Sequence, residues 1–228
     1  VEIFRCARAE VYHNSGKKTL TQVKKETGCT HIINGYLFNS SFRPLGWTVI
    51  DGKIISRDAY RDWGVSIGAD RRPVMDTDRG GSFLSGVPLL KNGQKLKREL
   101  TADVARSAAR TAVGWMPDGR VVLWCDKTSL TRDQLQNKLL GLGISDALML
   151  DGGGSTQGRF PDGAVTSSRK VATLLLFWQE TEAAAPENPV IKWAAEKEIL
   201  TEAQLAEPGK TVTRQELLQS LYRLWQHI

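Results

Sequence analysis

The sequence predicts an α+β domain: a mixed, largely antiparallel sheet with a few packed helices, followed by a small C-terminal helical hairpin. Three observations carry that expectation. Short apolar runs flank turn dipeptides, as where Thr48-Val49-Ile50 and Lys53-Ile54-Ile55 enclose Asp51-Gly52, which is the pattern of a two-residue hairpin. Two segments open with capping-box spacing, Thr19 with Gln22 and Thr131 with Gln134, so each starts a helix. One apolar run, residues 171–178, carries no turn signal and reads as a central strand buried on both faces.

The elements follow in order. Val11-Tyr12 closes a short strand. A helix over Leu20–Thr27 stops at Gly28, where a left-handed residue ends it. His31-Ile32-Ile33 is strand-like and leads into Asn34-Gly35. A second hairpin turns at Asn92-Gly93 between Leu89-Leu90 and Lys95-Leu96, and a third at Pro117-Asp118-Gly119 between residues 112–115 and 121–124. Residues 56–88 are rich in charge, Gly and Pro, and read as long loops or edge strands. Leu135, Leu139 and Leu142 share one helical face, with Gly141 and Gly143 as stops. The chain then returns through Ile144 to an apolar run ending at Asp151. The predicted organisation is a main domain over 1–179, an acidic Pro-containing linker over 180–189, and a helical segment over 190–228. Two short helices bury little surface alone, so this tail needs the main domain, a second copy or a partner.

The chain has 228 residues and a formal net charge of +6. Basic residues from Lys17 to Arg98 crowd the first half, among them Lys24, Lys25, Arg71, Arg72, Lys97 and Arg98, while acids predominate after Gln179. That asymmetry suits an anionic ligand such as a phosphorylated sugar or a wall polymer. No recognised nucleic-acid module is present, and no nucleic-acid partner is expected. No apolar stretch reaches the length of a membrane span. The start of the chain lacks the order of a signal peptide. Cys6, Cys29 and Cys125 have neither metal-ligand nor disulfide-framework spacing, although a Cys6–Cys29 bridge is one arrangement they allow. His13, His31 and His227 form no ligand pair.

The most informative stretch is 148–156, Leu-Met-Leu-Asp-Gly-Gly-Gly-Ser-Thr. A buried strand would end at a carboxylate, Asp151. Gly152, Gly153 and Gly154 would then let successive backbone N–H groups converge on an anion. The plain alternative is a tight turn in which Asp151 bonds its own backbone.

Four segments together resemble the phosphodiester glycosidase family: Ile33-Asn34-Gly35-Tyr36-Leu37-Phe38, Arg110-Thr111-Ala112-Val113-Gly114 with Asp118-Gly119, Leu150-Asp151-Gly152-Gly153-Gly154-Ser155, and Arg169 before the last strand. The resemblance spans about residues 11–178. It departs where Tyr36 and Leu37 replace a Gly and a Phe of the family pattern. Tyr36 would narrow the pocket or offer a stacking face to a sugar. The tail, from Ile191-Lys192-Trp193 to Leu221-Tyr222-Arg223, resembles one S-layer homology repeat. That resemblance implies a bacterial or phage protein at a cell surface or outside the cell, with wall polysaccharide or self-association through the C-terminal helices.

The implied activity is hydrolysis of the glycosidic bond of a sugar-1-phosphodiester, such as an N-acetylglucosamine-1-phosphodiester or an envelope glycosyl phosphate. Asp151 is the expected essential carboxylate, as nucleophile, as base on water, or as ligand to a hard cation such as calcium or magnesium; no cofactor is certain. Arg110 and Arg169 suit the phosphate, because a guanidinium fork matches its oxygens. Gly152, Gly153, Gly154, Ser155 and Thr156 would bind phosphate oxygens, and Asn34 a sugar hydroxyl or acetamido group. A second carboxylate is common in glycosidases; Asp58, Asp62, Asp70, Asp76, Asp78, Asp126 and Asp162 are available. Trp47, Trp63, Trp115 and Trp124 could stack on sugar or serve the core. The competing function is a non-catalytic module that captures a phosphorylated sugar or nucleotide-like ligand.

Overall fold

A computed structural model describes residues 1–58, 63–97 and 102–180. The polypeptide divides into two units, Val1–Glu180 and Thr181–Ile228. The linker, the C-terminal helical hairpin and the segment resembling an S-layer homology repeat lie outside the described residues.

In chain order the elements are β1 (Glu2–Phe4), β2 (Cys6–His13), α1 (Leu20–Thr27), β3 (His31–Asn34), β4 (Thr48–Ile50), β5 (Lys53–Ser56), β6 (Gly64–Ile67), β7 (Pro73–Asp76), β8 (Ser82–Ser85), β9 (Val87–Lys91), β10 (Gln94–Lys95), α2 (Ala102–Ala105), β11 (Ala108–Trp115), β12 (Val121–Leu130), α3 (Arg132–Gly141), β13 (Asp146–Met149), β14 (Gly158–Arg159), β15 (Ala164–Val165) and β16 (Thr173–Gln179). The strands form three sheets, ordered β1-β12-β11-β13-β9-β10, β15-β14-β3-β16-β2 and β5-β4-β8-β6-β7.

This corrects the α+β expectation. Every strand pair is antiparallel. The described helices are short, the longest being the ten-residue α3. The fold is mostly β. The difference arises in residues 56–88, which contain β6, β7 and β8 rather than long loops, and β8 and β6 are interior strands of the third sheet. Their signal is weak because each has only four residues, in which Gly, Ser, Pro or Asp accompany two apolar side chains. Gly64 is required in β6, since a Cβ there would lie 2.3 Å from the Leu84 carbonyl oxygen and 2.5 Å from the Phe83 ring.

Local chemistry explains the elements that do form as expected. Both capping boxes are complete, with Thr19 and Gln22 opening α1 and Thr131 and Gln134 opening α3. Gly28 ends α1 at φ 69°. Asp51-Gly52 and Asn92-Gly93 all have positive φ, as the favoured two-residue hairpin turn requires. Leu142, placed on the buried face by spacing, is 39% exposed; buried Gln136 instead donates to the Leu89 and Leu96 carbonyls, tying α3 to β9 and the residue after β10.

β16 explains the uninterrupted apolar run. Leu175 and Phe177 enter the main core, while Leu174 and Leu176 pack with Leu20, Val23 and Ile32 beneath α1. Both faces of the strand are therefore dry. All three cysteines are buried and free, so no Cys6–Cys29 bridge exists. Burial pushes the Cys6 and Cys125 thiols up to about 12. Among the described residues no helix is long and apolar enough to cross a membrane.

Candidate active site

The first two sheets meet at the end of β3, and Asn34 joins them. Its Nδ2 donates to the Asp151 carbonyl at 2.8 Å and the Gly35 carbonyl at 3.1 Å. Its Oδ1 accepts from the Thr111 hydroxyl at 2.7 Å and the Gln157 N–H at 3.0 Å. An amide offers two donors and one oxygen with two lone pairs, so this set uses its capacity in full. Asn34 is completely buried. It therefore holds the site together, rather than presenting a free amide to a sugar.

Asp151 is gripped from both sides. Its N–H donates to the Gly35 carbonyl at 3.1 Å, and its carbonyl accepts from Asn34. Leu150 N–H, one residue earlier, extends the β11–β13 pairing to the Thr111 carbonyl at 2.9 Å. The Gly35 N–H donates to the Thr173 carbonyl at 2.7 Å, and a Cβ on Gly35 would lie 2.3 Å from the Thr173 hydroxyl. β3 and β16 can approach this closely only with glycine there.

The three glycines then turn the chain. Gly153 sits at φ 59° in a single 3₁₀ turn, and the Ser155 and Thr156 N–H groups bond back to the Gly152 and Gly153 carbonyls. Among the described residues the N–H groups of Gly152, Gly153 and Gly154 have no acceptor. The hydroxyls of Ser155 and Thr156 are buried and also lack a partner. Side chains crowd the loop. A Cβ on Gly152 would meet the Ala109 carbonyl oxygen at 2.6 Å; one on Gly153 would be 3.5 Å from Arg106 Nη2; one on Gly154 would be 3.7 Å from Arg169 Nη1. Ser167 Oγ donates to the Gly154 carbonyl at 2.6 Å, and Lys127 Nζ to the Thr156 carbonyl at 2.5 Å.

Two arginines thus flank the glycine loop, but not the pair read from sequence. Arg169 lies beside Gly154 as expected, with its guanidinium 5.2 Å from the Phe38 ring. Arg110 is buried, and its guanidinium donates to the Leu130, Val104 and Arg106 carbonyls. Burial, and then the neighbouring Arg106 charge, lower its pKa. Arg110 secures the backbone around Arg106, and Arg106 is the guanidinium by Gly153. Sequence reading missed Arg106 and Lys127, since neither sits in a recognisable motif.

Tyr36 is 2% exposed and belongs to the main core, beside Gly46. Its N–H donates to the Thr173 hydroxyl at 3.2 Å. The ring therefore offers no open stacking face. Trp115 and Trp124 are core residues, while Trp47 and Trp63 are half-buried. Among the candidate second carboxylates, Asp126 is the one that strand register sets opposite Arg110. Asp62 lies outside the described residues. Among the described residues no three His, Cys, Asp or Glu side chains gather to hold a metal ion.

The family model for phosphodiester glycosidases matches residues 27–178. The chain belongs to the phosphodiester glycosidase family. This span contains Asn34, the Arg110 strand, the glycine loop and Arg169. Among solved structures, the chain resembles the catalytic domain of zebrafish N-acetylglucosamine-1-phosphodiester alpha-N-acetylglucosaminidase, auto-inhibited by its pro-peptide. The TM-score is 0.62 at 21% identity, covering 76% of this chain and 73% of that one. A hypothetical protein from Synechocystis gives a TM-score of 0.61 at 12% identity, covering 75% of this chain and 56% of that one. At these identities the likeness concerns the fold. Curated protein sequences gave no match.

Proposed function

We propose that this phosphodiester glycosidase-like hydrolase cleaves the bond between the anomeric carbon and oxygen of a sugar-1-phosphodiester. The observation that carries the reading is the glycine loop after Asp151: three consecutive N–H groups without acceptors among the described residues, flanked by Arg106 and Arg169. Such a cradle suits a phosphate, because backbone donors and guanidinium groups both favour negative charge. Bond cleavage places charge on the departing phosphate, and preorganised donors stabilise that charge without reorganising. The Ser155 and Thr156 hydroxyls follow in the same loop, buried and without a hydrogen-bond partner among the described residues.

The departing group is a phosphomonoester, a stable anion, so little general-acid assistance is needed. What remains is to stabilise positive charge at the anomeric carbon and to bring in water. Asp151 is the carboxylate for this, acting on the sugar or on water. Its backbone is fixed by Asn34 and Gly35, which suits a group that must be held in one geometry. Asn34 and Arg110 are positioning residues in this scheme. The buried Tyr36 favours catalysis over simple capture, since the core rather than the binding face absorbs that departure from the family pattern.

The test is incubation of the full chain with a panel of sugar-1-phosphodiesters, with and without divalent cations, read by mass spectrometry. Free sugar and a phosphomonoester are the expected products. Asp151→Ala should lower kcat at least a thousandfold, with unchanged circular dichroism. Ligand recovered intact from the wild-type protein would instead identify a binding module.

A further inference from the structure

A row of rings and cations leads away from the glycine loop. Arg169, beside Gly154, lies 5.2 Å from the Phe38 ring. Phe38 and Phe42 meet edge to face at 5.3 Å, and Lys17 Nζ lies 5.1 Å from the Phe42 ring. Lys17, Arg43 and Arg169 are exposed, and none of them pairs with a carboxylate among the described residues. The neighbouring Lys18, by contrast, is taken by Glu26 at 2.6 Å.

The row is held in an unfavourable backbone geometry. Phe42 has φ 64°, a left-handed conformation unfavourable for a bulky residue. It persists because Asn39 closes the turn: Phe42 N–H donates to the Asn39 carbonyl, Asn39 N–H to the Arg43 carbonyl, and Arg43 N–H to Asn39 Oδ1. Lys17 is also left-handed, at φ 50°. Its turn is built on buried Asn14, which accepts from the Lys17 and Lys18 N–H groups and donates to the Val171 carbonyl. Strain kept by surrounding structure is a reason to look for function. Here two strained turns set a cation against a ring.

We propose that Lys17, Arg43 and the Phe38–Phe42 pair form a second phosphate subsite, so that the substrate is an oligomeric or polymeric glycosyl phosphate. One phosphodiester lies at the glycine loop, and the next lies over Lys17, with Arg43 exposed in the same turn as Phe42. This rests on the reading of the glycine loop as a phosphate site. The rings hold the cations through their faces, leaving ammonium and guanidinium N–H groups for phosphate oxygens. One face of each ring is taken by Lys17 or Arg169, which reduces the surface open to the base stacking that single-stranded nucleic acids use.

The experiment is equilibrium binding to the full chain at low salt, with three probes. They are an N-acetylglucosamine 1-phosphate oligomer of three repeats, a methyl phosphodiester of the same sugar, and single-stranded DNA of equal charge. The oligomer should bind at least tenfold more tightly than the single phosphodiester and than DNA. Lys17→Gln should reduce the ratio of oligomer to single-phosphodiester affinity about fivefold, as loss of one exposed charge contact would. Phe42→Gly, which removes the ring and relieves the strain, should reduce it similarly without lowering thermal stability. Equal affinities for oligomer and single phosphodiester, an unchanged ratio in both variants, or equally tight DNA binding would overturn the proposal. Absence of hydrolysis would count against the proposed reaction alone, because binding is read without turnover.

Discussion

Replacing Asn34 with alanine should destabilise the protein by about 3–5 kcal/mol and abolish turnover. The magnitude follows from its four hydrogen bonds. Removing the amide leaves the Asp151 carbonyl, the Thr111 hydroxyl and the Gln157 N–H without their partner, while the Gly35 carbonyl keeps the Asp151 N–H. Each stranded buried group costs about 1–3 kcal/mol, partly relieved by relaxation or an entering water. A domain has only about 5–15 kcal/mol to lose. Asn34→Asp keeps the shape but replaces both donors with an acceptor facing two carbonyls, so it should be no milder. Urea unfolding followed by tryptophan fluorescence measures the change through the midpoint, at constant slope. Loss of less than about 1 kcal/mol in both variants would refute the assignment of Asn34 as the junction between sheets. Retained turnover would show that Asp151 does not need this support.

Gly152→Ala should cost about 1–3 kcal/mol and most of the activity, because its Cβ would press on the Ala109 backbone at 2.6 Å, where nothing flexible can yield; thermal melting and the phosphodiester assay check both. His31 should make stability depend on pH. Burial, and then the Lys24 charge, lower its pKa to about 4, against the opposing effect of Asp162. The unfolded chain therefore binds a proton near the ordinary histidine pKa while the folded protein does not. Stability contributed by neutral His31 is present above about pH 6.5 and is lost as pH falls towards 4, by about 2 kcal/mol at pH 5. Urea midpoints at pH 7.5 and 5 measure it, and an equal drop in His31→Gln would assign the effect to other groups.

Much of the local structure was legible because local chemistry decides it. Thr19 with Gln22, Thr131 with Gln134, and the Asp51-Gly52 and Asn92-Gly93 turns each act within a few residues. The fold class was not legible, because β6 to β8 are specified by distant neighbours: Gly64 is needed only because Phe83 and Leu84 lie against it. The site divides in the same way. Glycine-loop geometry follows from Gly152-Gly153-Gly154 themselves. Whether an arginine faces a ligand or a carbonyl depends on the packed surroundings: Arg110, which its motif suggested for the phosphate, donates to backbone carbonyls, and Arg106, which sits in no motif, lies by the glycine loop. Asn34 looked like a ligand group because nothing near it in sequence reveals Thr111, Asp151 and Gln157 as partners.

Those partners lie 77, 117 and 123 positions further along the chain, and Gly35 docks on Thr173. During synthesis the candidate site cannot form until β16 has left the ribosome. Long-range pairings close slowly, since loop entropy is lost before they form. A chain terminated early should expose Ile32 and Ile33 without β16 beside them, making it a target for chaperones and proteases rather than a partly active enzyme.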